Sequence, residues 1–484
     1  ITYYVPTHEL KTITPPYGSE RHTVQAAYRA VAARSGGGSI AVFPSPHRYF
    51  FARDYSTNLG YNWYSSWRGR VSLGIQQQPD DNTAIYPWMN APPGTEQEMG
   101  VFVLLSGGVA SSALEMAKEF THADRFPYLP GYITFAPHWH FAYTVQAMAN
   151  GKDWTPPFKP TLEQHGIDAA MIMDFHIDGH PGALTDVRLK ELDAYYKACR
   201  EQSDSRFLII PAEEADILLG GHWGLVFPSP VMWFEGRKAG EPFVTEDPRY
   251  GKVYRISNPE EMWKMITSEH GIAYETHPRT KGSTGYPDKI LDTFYFRAPQ
   301  YIGVGWKAMP TDLSSPRLGE RGFKVLDDLN NLGLQKIMLG EDDLFQVFPT
   351  DELYAHLNAN YVKMDKLPDF NHYGDLLDSV RRGDGFISTG EVLLPEVSFS
   401  SSKDAVSFNA VVDSTFPLRV AEIVWGDGKE THHEMIPLDS TGAFEHHKYQ
   451  WSAKTPGWTF ARLAIWDIAG DGGFTNPRWK TADR

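Results

Sequence analysis

Between residues 129 and about 392, short β-rich runs alternate with helix-like runs, and this alternation constrains the chain more than any other feature. The runs that read as strands are 132–135, 169–173, 207–210, 224–227, 272–274, 301–304 and 336–339. Helical patterns fall between them at 186–201, 259–269, 318–332 and 373–382. Within 318–332, Phe323, Leu326 and Leu329 recur at helical spacing and Gly333 supplies a stop. Repeated strand–helix alternation predicts an α/β fold built on a parallel sheet or barrel.

The two ends of the chain differ from this middle. Residues 1–128 read as a β-rich, sandwich-like domain. Its runs at 39–43, 49–51, 70–75 and 101–105 are separated by Gly, Pro, Asn and Asp, with helices expected near 23–33 and 111–120. Residues 393–484 return to β, with strands expected at 405–412, 418–425 and 459–466 and turns at Asp427-Gly428 and 470–473, as in a small β-sandwich. His432-His433 and His446-His447 lie here and read as surface residues on solvated strands. A chain of 484 residues is long enough for these three domains, 1–128, 129–392 and 393–484.

Composition removes several function classes. With 45 basic and 60 acidic residues the net charge is −15, which disfavours a nucleic-acid partner. No apolar run reaches the length of a membrane span. The single cysteine, Cys199, excludes an intrachain disulfide and a thiolate zinc site. It shares a helical pattern with Leu189, Leu192 and Tyr196 and reads as a core thiol. Aromatic residues make up 13%, which suits either sandwich cores or stacking on a saccharide. The chain begins at Ile1, and together with the sandwich domains this sets the expectation of a periplasmic or extracellular protein.

The polar residues that follow the central strands carry the functional argument. After 132–135 comes Pro137-His138-Trp139-His140, and after 169–173 comes Asp174-Phe175-His176-Ile177-Asp178-Gly179-His180. Glu213-Glu214 follows 207–210, Gly221-His222 precedes 224–227, Glu275-Thr276-His277-Pro278-Arg279 follows 272–274, Gly305-Trp306-Lys307 follows 301–304, and Glu341-Asp342-Asp343 follows 336–339. Histidines two apart in extended chain point to one side. Residues just past parallel strands share one face of a barrel, where barrel enzymes place their sites. Imidazole and carboxylate without thiolate suit Zn²⁺ or Mn²⁺, with Fe²⁺ also compatible, and Glu214 is placed to bridge two ions. Arg279, Lys281 and Lys307 are candidates to hold an anionic substrate or stabilise oxyanion charge, or to pair with neighbouring acids.

In this order the residues resemble the PHP (polymerase and histidinol phosphatase) metallohydrolases, and more narrowly the CehA/McbA group named for carbaryl hydrolases. The resemblance covers about 129–392. It extends to Arg381-Arg382-Gly383 with Ser388-Thr389-Gly390, and weakly to Phe474-Thr475-Asn476-Pro477. It implies a distorted β/α barrel holding one to three metals, with ligands His138, His140, His176, Glu214, His222, His277 and Asp343. Two departures stand out. Phe175 separates Asp174 from His176 where the family has the pair adjacent, and Leu344-Phe345 follow Asp343 where the family has a histidine two residues on. His356 is a candidate substitute. Fewer ligands would mean fewer ions or changed chemistry.

The leading expectation is a hydrolase of a small ester, carbamate or phosphoester using one or two divalent ions. His176 or His180 would act as a further ligand or general acid, and Arg279 and Lys307 would orient the substrate. The alternatives are a metal-dependent polysaccharide lyase or glycosidase and a non-catalytic metal- or glycan-binding protein.

Overall fold

The computed structural model describes residues 2–4, 12–13, 22–25, 28–47, 62–67, 70–75, 94, 100–151, 153–176, 185–215, 218–279, 285–306, 317, 319–345, 347 and 353–481. The expected strand at 49–51 lies outside them.

The N-terminal part holds β1 (Thr2–Tyr4), β2 (Thr12–Ile13), β3 (His22–Gln25), β4 (Val31–Ser35), β5 (Gly38–Pro44), β6 (Asn62–Trp67), β7 (Arg70–Ile75), β8 (Val101–Ser106) and α1 (Ala110–Glu119). One sheet runs β2-β1-β4-β5-β8 and another β3-β6-β7. The helix expected at 23–33 is replaced by β3 and β4. The glycines at 36–38 close a hairpin that pairs Val31 with Val42 and Ser35 with Gly38, and this ladder overrides the helical propensity of the alanines before it. The helix expected at 111–120 is α1. It lays Ala110 and Ala113 against Ala32 and Ala41, small residues that let helix and sheet approach closely.

The central part follows the alternation: β9 (Tyr132–Trp139), α2 (Tyr143–Asn150), α3 (Phe158–Gln164), β10 (Ala169–His176), α4 (Thr185–Gln202), β11 (Leu208–Ala215), β12 (Trp223–Val226), β13 (Met232–Glu235), β14 (Val244–Asp247), β15 (Gly251–Ile256), α5 (Pro259–Ser268), β16 (Ile272–Glu275), β17 (Tyr301–Trp306), α6 (Glu320–Asn331), β18 (Ile337–Gly340), β19 (Ala359–Lys363), α7 (Gly374–Arg381) and β20 (Gly385–Ser388). All the strands and helices expected here are present. β9, β10 and β11 pair in parallel, as do β16, β17 and β18. The sheet is not purely parallel, because β12 runs antiparallel to both β11 and β16. A short connection leads from β11 to β12, too short for the crossover that a parallel pair needs. Caps and amphipathic faces fix the helices. Asn258 accepts from the Glu261 N–H at the start of α5, Pro259 follows it, and Met262, Trp263, Met265 and Ile266 are buried. Gly333, at φ 76°, ends α6 as its sequence predicts.

The ends of this strand series come together. Trp139 bridges Leu344 in parallel, His140 N–H donates to the Leu344 carbonyl (2.9 Å), and Asp342 N–H donates to the Pro137 carbonyl (3.2 Å). Asn360 on β19 completes the seam. Its amide donates to the carbonyls of Phe135 (3.0 Å) and Gly340 (2.7 Å), and its Oδ1 accepts from Gly340 N–H (2.8 Å). Cys199 is buried, and burial pushes its thiol well above the usual range, as suits a packing residue.

The C-terminal part contains β21 (Val392–Ser401), β22 (Ala405–Ser414), β23 (Leu418–Gly426), β24 (Thr431–Pro437), β25 (Glu445–Lys454), β26 (Phe460–Asp467), β27 (Gly472–Thr475) and β28 (Arg478–Trp479). β21-β22-β25 form a separate sheet. β27, β26, β23 and β24 continue the central sheet through pairing of β27 with β20, so the sheet does not break near residue 392. Side chains reinforce this continuity. Arg462 on β26 makes a buried two-pronged pair with Asp327 on α6 (2.8 and 2.7 Å), and Asn476 Oδ1 accepts from Met338 N–H (2.7 Å). Among the described residues no helix is long and apolar enough to cross a membrane.

His432, His433, His446 and His447 are partly exposed and paired with Asp427, Glu422, Asp413 and Glu445 respectively, as expected of surface residues. Glu422 is the consequential partner. Burial opposes its ionisation, but bonds from His433 and Arg317 more than offset this and lower its pKa from 4.5 to about 2. A carboxyl with a depressed folded pKa contributes stability that is present above its unfolded pKa and lost as pH falls through the folded one. The stability gap between wild type and Glu422→Gln is therefore expected to be full at pH 6 and to shrink between pH 4.5 and 2. Thermal denaturation across that range checks it, and a gap that does not narrow would refute the assignment.

Candidate metal centre

The residues past the central strands meet in one buried cluster. His138 and His140 come from the end of β9, Glu214 from β11, His222 from just before β12, His277 from just after β16, and Asp343 from beyond β18. His138, Glu214, His277 and Asp343 are all buried.

Local backbone geometry aims these side chains. β9 and β10 pair Pro137 with Met171 and Trp139 with Ile172, so His138 is the extra residue of a β-bulge and adopts φ 77°. A bulge re-aims a side chain. The two histidines thus face one another through an irregularity, where simple strand alternation was expected to align them. His277 (φ 28°) and Asp343 (φ 51°) also lie in the left-handed region. Such conformations are costly for non-glycine residues and tend to gather at functional sites.

The ring nitrogens and carboxylate oxygens converge. His138 Nε2 lies 3.0 Å from His140 Nε2, 3.5 Å from Glu214 Oε2 and 3.5 Å from Asp343 Oδ1. His140 Nε2 lies 3.1 Å from Glu214 Oε2 and 3.7 Å from Asp343 Oδ1. On the other side of the carboxylate, Glu214 Oε1 meets His222 Nδ1 at 2.7 Å, His277 Nε2 at 3.1 Å and the Thr276 hydroxyl at 3.0 Å. Asp343 Oδ2 is 3.8 Å from His277 Nε2. Two triads result, His138–His140–Asp343 and His138–Glu214–His277, each with its ligand atoms within 4.8 Å of one another.

The donor set fits a divalent cation. Two Nε2 atoms 3.0 Å apart cannot both carry a proton towards each other, whereas both can offer lone pairs to an ion between them. The other nitrogen of His138 is accounted for by Glu341 Oε2 at 2.8 Å. A carboxylate on Nδ1 that leaves Nε2 free to ligate is the usual second layer of a histidine metal site. Glu341 also accepts from the His277 backbone N–H, and so orients two ligands. Gly305 makes room for it, since a Cβ there would overlap the Glu341 carboxylate. The surrounding carboxylates make this pocket favour positive charge. Burial opposes charging His138, yet Glu214, Asp343 and Glu341 outweigh it and raise its pKa to about 10. Burial dominates at His140 and lowers its pKa.

Other expected residues are placed differently. Arg279 does not turn its guanidinium to an open site: the group is held by Asp288 (2.8 Å) and Asp328 (3.0 Å). His176 sits opposite Glu214 in the β10–β11 register, but its side chain is outside what is described. His180, Lys281 and Lys307 lie outside the described residues. His356 is buried and belongs to neither triad. Asp174 accepts from the Thr144 hydroxyl at 2.7 Å and from its N–H, which fixes the start of α2. Glu341 is absent from the ligand set expected from the sequence, where Asp343 alone represents this segment. The run of three acids after β18 was the available signal.

The His222 side chain keeps 15% exposure, and the ring of Phe345, itself 39% exposed, stacks on His140 at 4.7 Å.

No family model matches the chain. No curated protein matches it either. Among solved structures it is similar to wild-type OgpA from Akkermansia muciniphila at 10% identity, over 74% of this chain and 96% of that one, with a TM-score of 0.16. A likeness that weak carries no argument.

Proposed function

We propose that the chain is a metal-dependent hydrolase of a small ester, carbamate or phosphoester, with His138, His140, Glu214, His222, His277 and Asp343 holding one or two divalent cations of the zinc or manganese class. The observation that carries this is the pair of triads sharing His138, with Glu214 presenting one oxygen to each side. The meeting of β9 with the segment after β18 supports reading β9–β12 and β16–β18 as the distorted barrel of a PHP-like enzyme. The chemistry supplied by such a cation is activation of water as a nucleophile at neutral pH. The protein's own residues do the rest. Glu341 fixes the tautomer of His138. Thr276 and His222 hold one oxygen of Glu214. Phe345 offers an apolar face beside His140 to the non-reacting part of a substrate.

The test is hydrolysis of aryl acetates, aryl phosphates and aryl carbamates by protein stripped with a chelator and reloaded with Zn²⁺ or Mn²⁺. Activity on one class that is lost on stripping and restored on reloading is the expected result. A fully loaded protein that turns over none of them would sink the hydrolase reading. Within this scheme Glu341→Gln is expected to leave the fold intact and weaken metal binding roughly 10–100-fold, measured by competition with a chromogenic chelator. Unchanged affinity would show that Glu341 does not position His138.

A further inference from the structure

A second group of ionisable side chains lies away from the central cluster and shares no residue with it. His47 follows β5, Glu391 follows β20, and Asp471 sits in the turn between β26 and β27. All three are fully buried. His47 Nδ1 is 3.0 Å from Asp471 Oδ1 and 3.6 Å from Glu391 Oε2. The three offer ligand atoms within 4.8 Å of one another. Asp467, also buried, accepts from Asp471 N–H (2.9 Å) and adds a third carboxylate beside them.

We infer that His47, Glu391 and Asp471 form a second, structural site for a divalent cation of the zinc or manganese class, which fastens the N-terminal segment to the C-terminal strands.

Three observations carry it. First, the tautomer of His47 is constrained. Its Nε2 is 3.0 Å from the Leu357 carbonyl, which only accepts, so the Nε2 proton is committed there. In the neutral ring Nδ1 is then a lone pair facing carboxylate oxygens, which calls for a cation, or a proton held on one of the carboxyls, between them. A backbone carbonyl holding the far nitrogen is the arrangement that prepares a histidine to ligate. Second, Glu391 Oε2, Asp467 Oδ2 and Asp471 Oδ2 are buried without a hydrogen-bond partner among the described residues. Buried carboxylate oxygens are costly unless paired or bound to metal. Tyr354 donates to the other oxygen of Glu391 (2.8 Å), which leaves Oε2 to face His47. Third, a single imidazole faces three carboxyl groups in this buried space. Arg29, the guanidinium whose charge reaches Glu391, is bonded to Asp124, Thr121 and Tyr28. One imidazole with carboxylates suits zinc or manganese better than calcium, which prefers an all-oxygen shell.

The site would act as a clasp. Ser45, two residues before His47, donates to the Ala469 carbonyl (2.6 Å) in the same turn that carries Asp471, so the segment is already seated there.

Glu391→Gln/Asp471→Asn keeps shape and removes ligand charge. By elemental analysis after gel filtration, this variant is expected to carry one equivalent of metal fewer than wild type. A folded variant with unchanged content would overturn the inference. If the variant fails to fold, His138→Ala/Glu214→Ala/His277→Ala, which dismantles the central cluster, decides. After dialysis against Zn²⁺ or Mn²⁺ it is expected to retain one tight equivalent. Chelation should then lower its melting temperature by several degrees and open the N-terminal segment to protease. No retained metal, and no response to chelator, would overturn the inference. Either result is read separately from hydrolase activity.

Discussion

His138→Ala/His140→Ala is expected to lose the central metal, with affinity falling by more than roughly 100-fold, because removing ligands exceeds the 10–100-fold cost of removing the groups that merely orient them. Both triads contain His138, so its loss reduces each to two donors, and the first keeps only Asp343 once His140 is also gone. Glu214 then loses the contacts of its Oε2 with both histidines and keeps those of its Oε1 with His222 and His277. Catalysis that depends on the ion should fall with occupancy. The double variant is expected to stay folded, because the strand that carries the histidines is held by backbone pairing to β10 and β19. Elemental analysis of wild type and variant, purified identically and then reconstituted, is the measurement. Equal metal content in the two would refute the central site, whatever either protein hydrolyses.

The largest effect on stability is expected from Asp327→Ala, at about 3–5 kcal/mol, the range found when one partner of a buried ion pair is removed. Asp327 and Arg462 are both buried and bonded through both prongs of the guanidinium. Burial opposes the charge on Arg462, and the Asp327 carboxylate is the main group that restores it. Without Asp327 an arginine that also lies over the Phe323 ring is stranded in the interior. Replacing both partners by apolar side chains, as in Asp327→Leu/Arg462→Met, is expected to recover most of the loss, since a well-packed apolar pair can match a buried ion pair. Urea denaturation of the wild type and both variants tests this. A loss under about 1 kcal/mol in Asp327→Ala would show that Glu422, the next acid acting on Arg462, is enough to hold its charge.

Much of this was legible in the sequence where the signal is local. Strand–helix alternation located every expected element from 132 to 382. The positions just past the strands named His138, His140, Glu214, His222, His277 and Asp343, which the fold draws together. What was not legible depends on partners far along the chain. The alanines before residue 34 look helical until the hairpin with β5 claims them. The bulge at His138 exists only because β10 pairs beside it. β12 reads as one more strand of a series, and its reversed direction follows from its partners β11 and β16. Asn360 gives no sign in the sequence that it will stitch β9 to β18. His47, Glu391 and Asp471 lie in three different parts of the chain, and none has a neighbouring residue that marks it as a ligand.

The pairing of β20 with β27 has a mechanical meaning. A ladder of backbone hydrogen bonds, and not a linker alone, joins the C-terminal strands to the rest of the molecule. A tilt imposed on β23 or β26 would travel through β27, β20 and β19 to β9, the strand whose kink holds His138. Cutting the chain near residue 392 would not release two smaller proteins. Either part made alone would present a raw sheet edge, β20 in one and β27 in the other, as a template for pairing with a stranger.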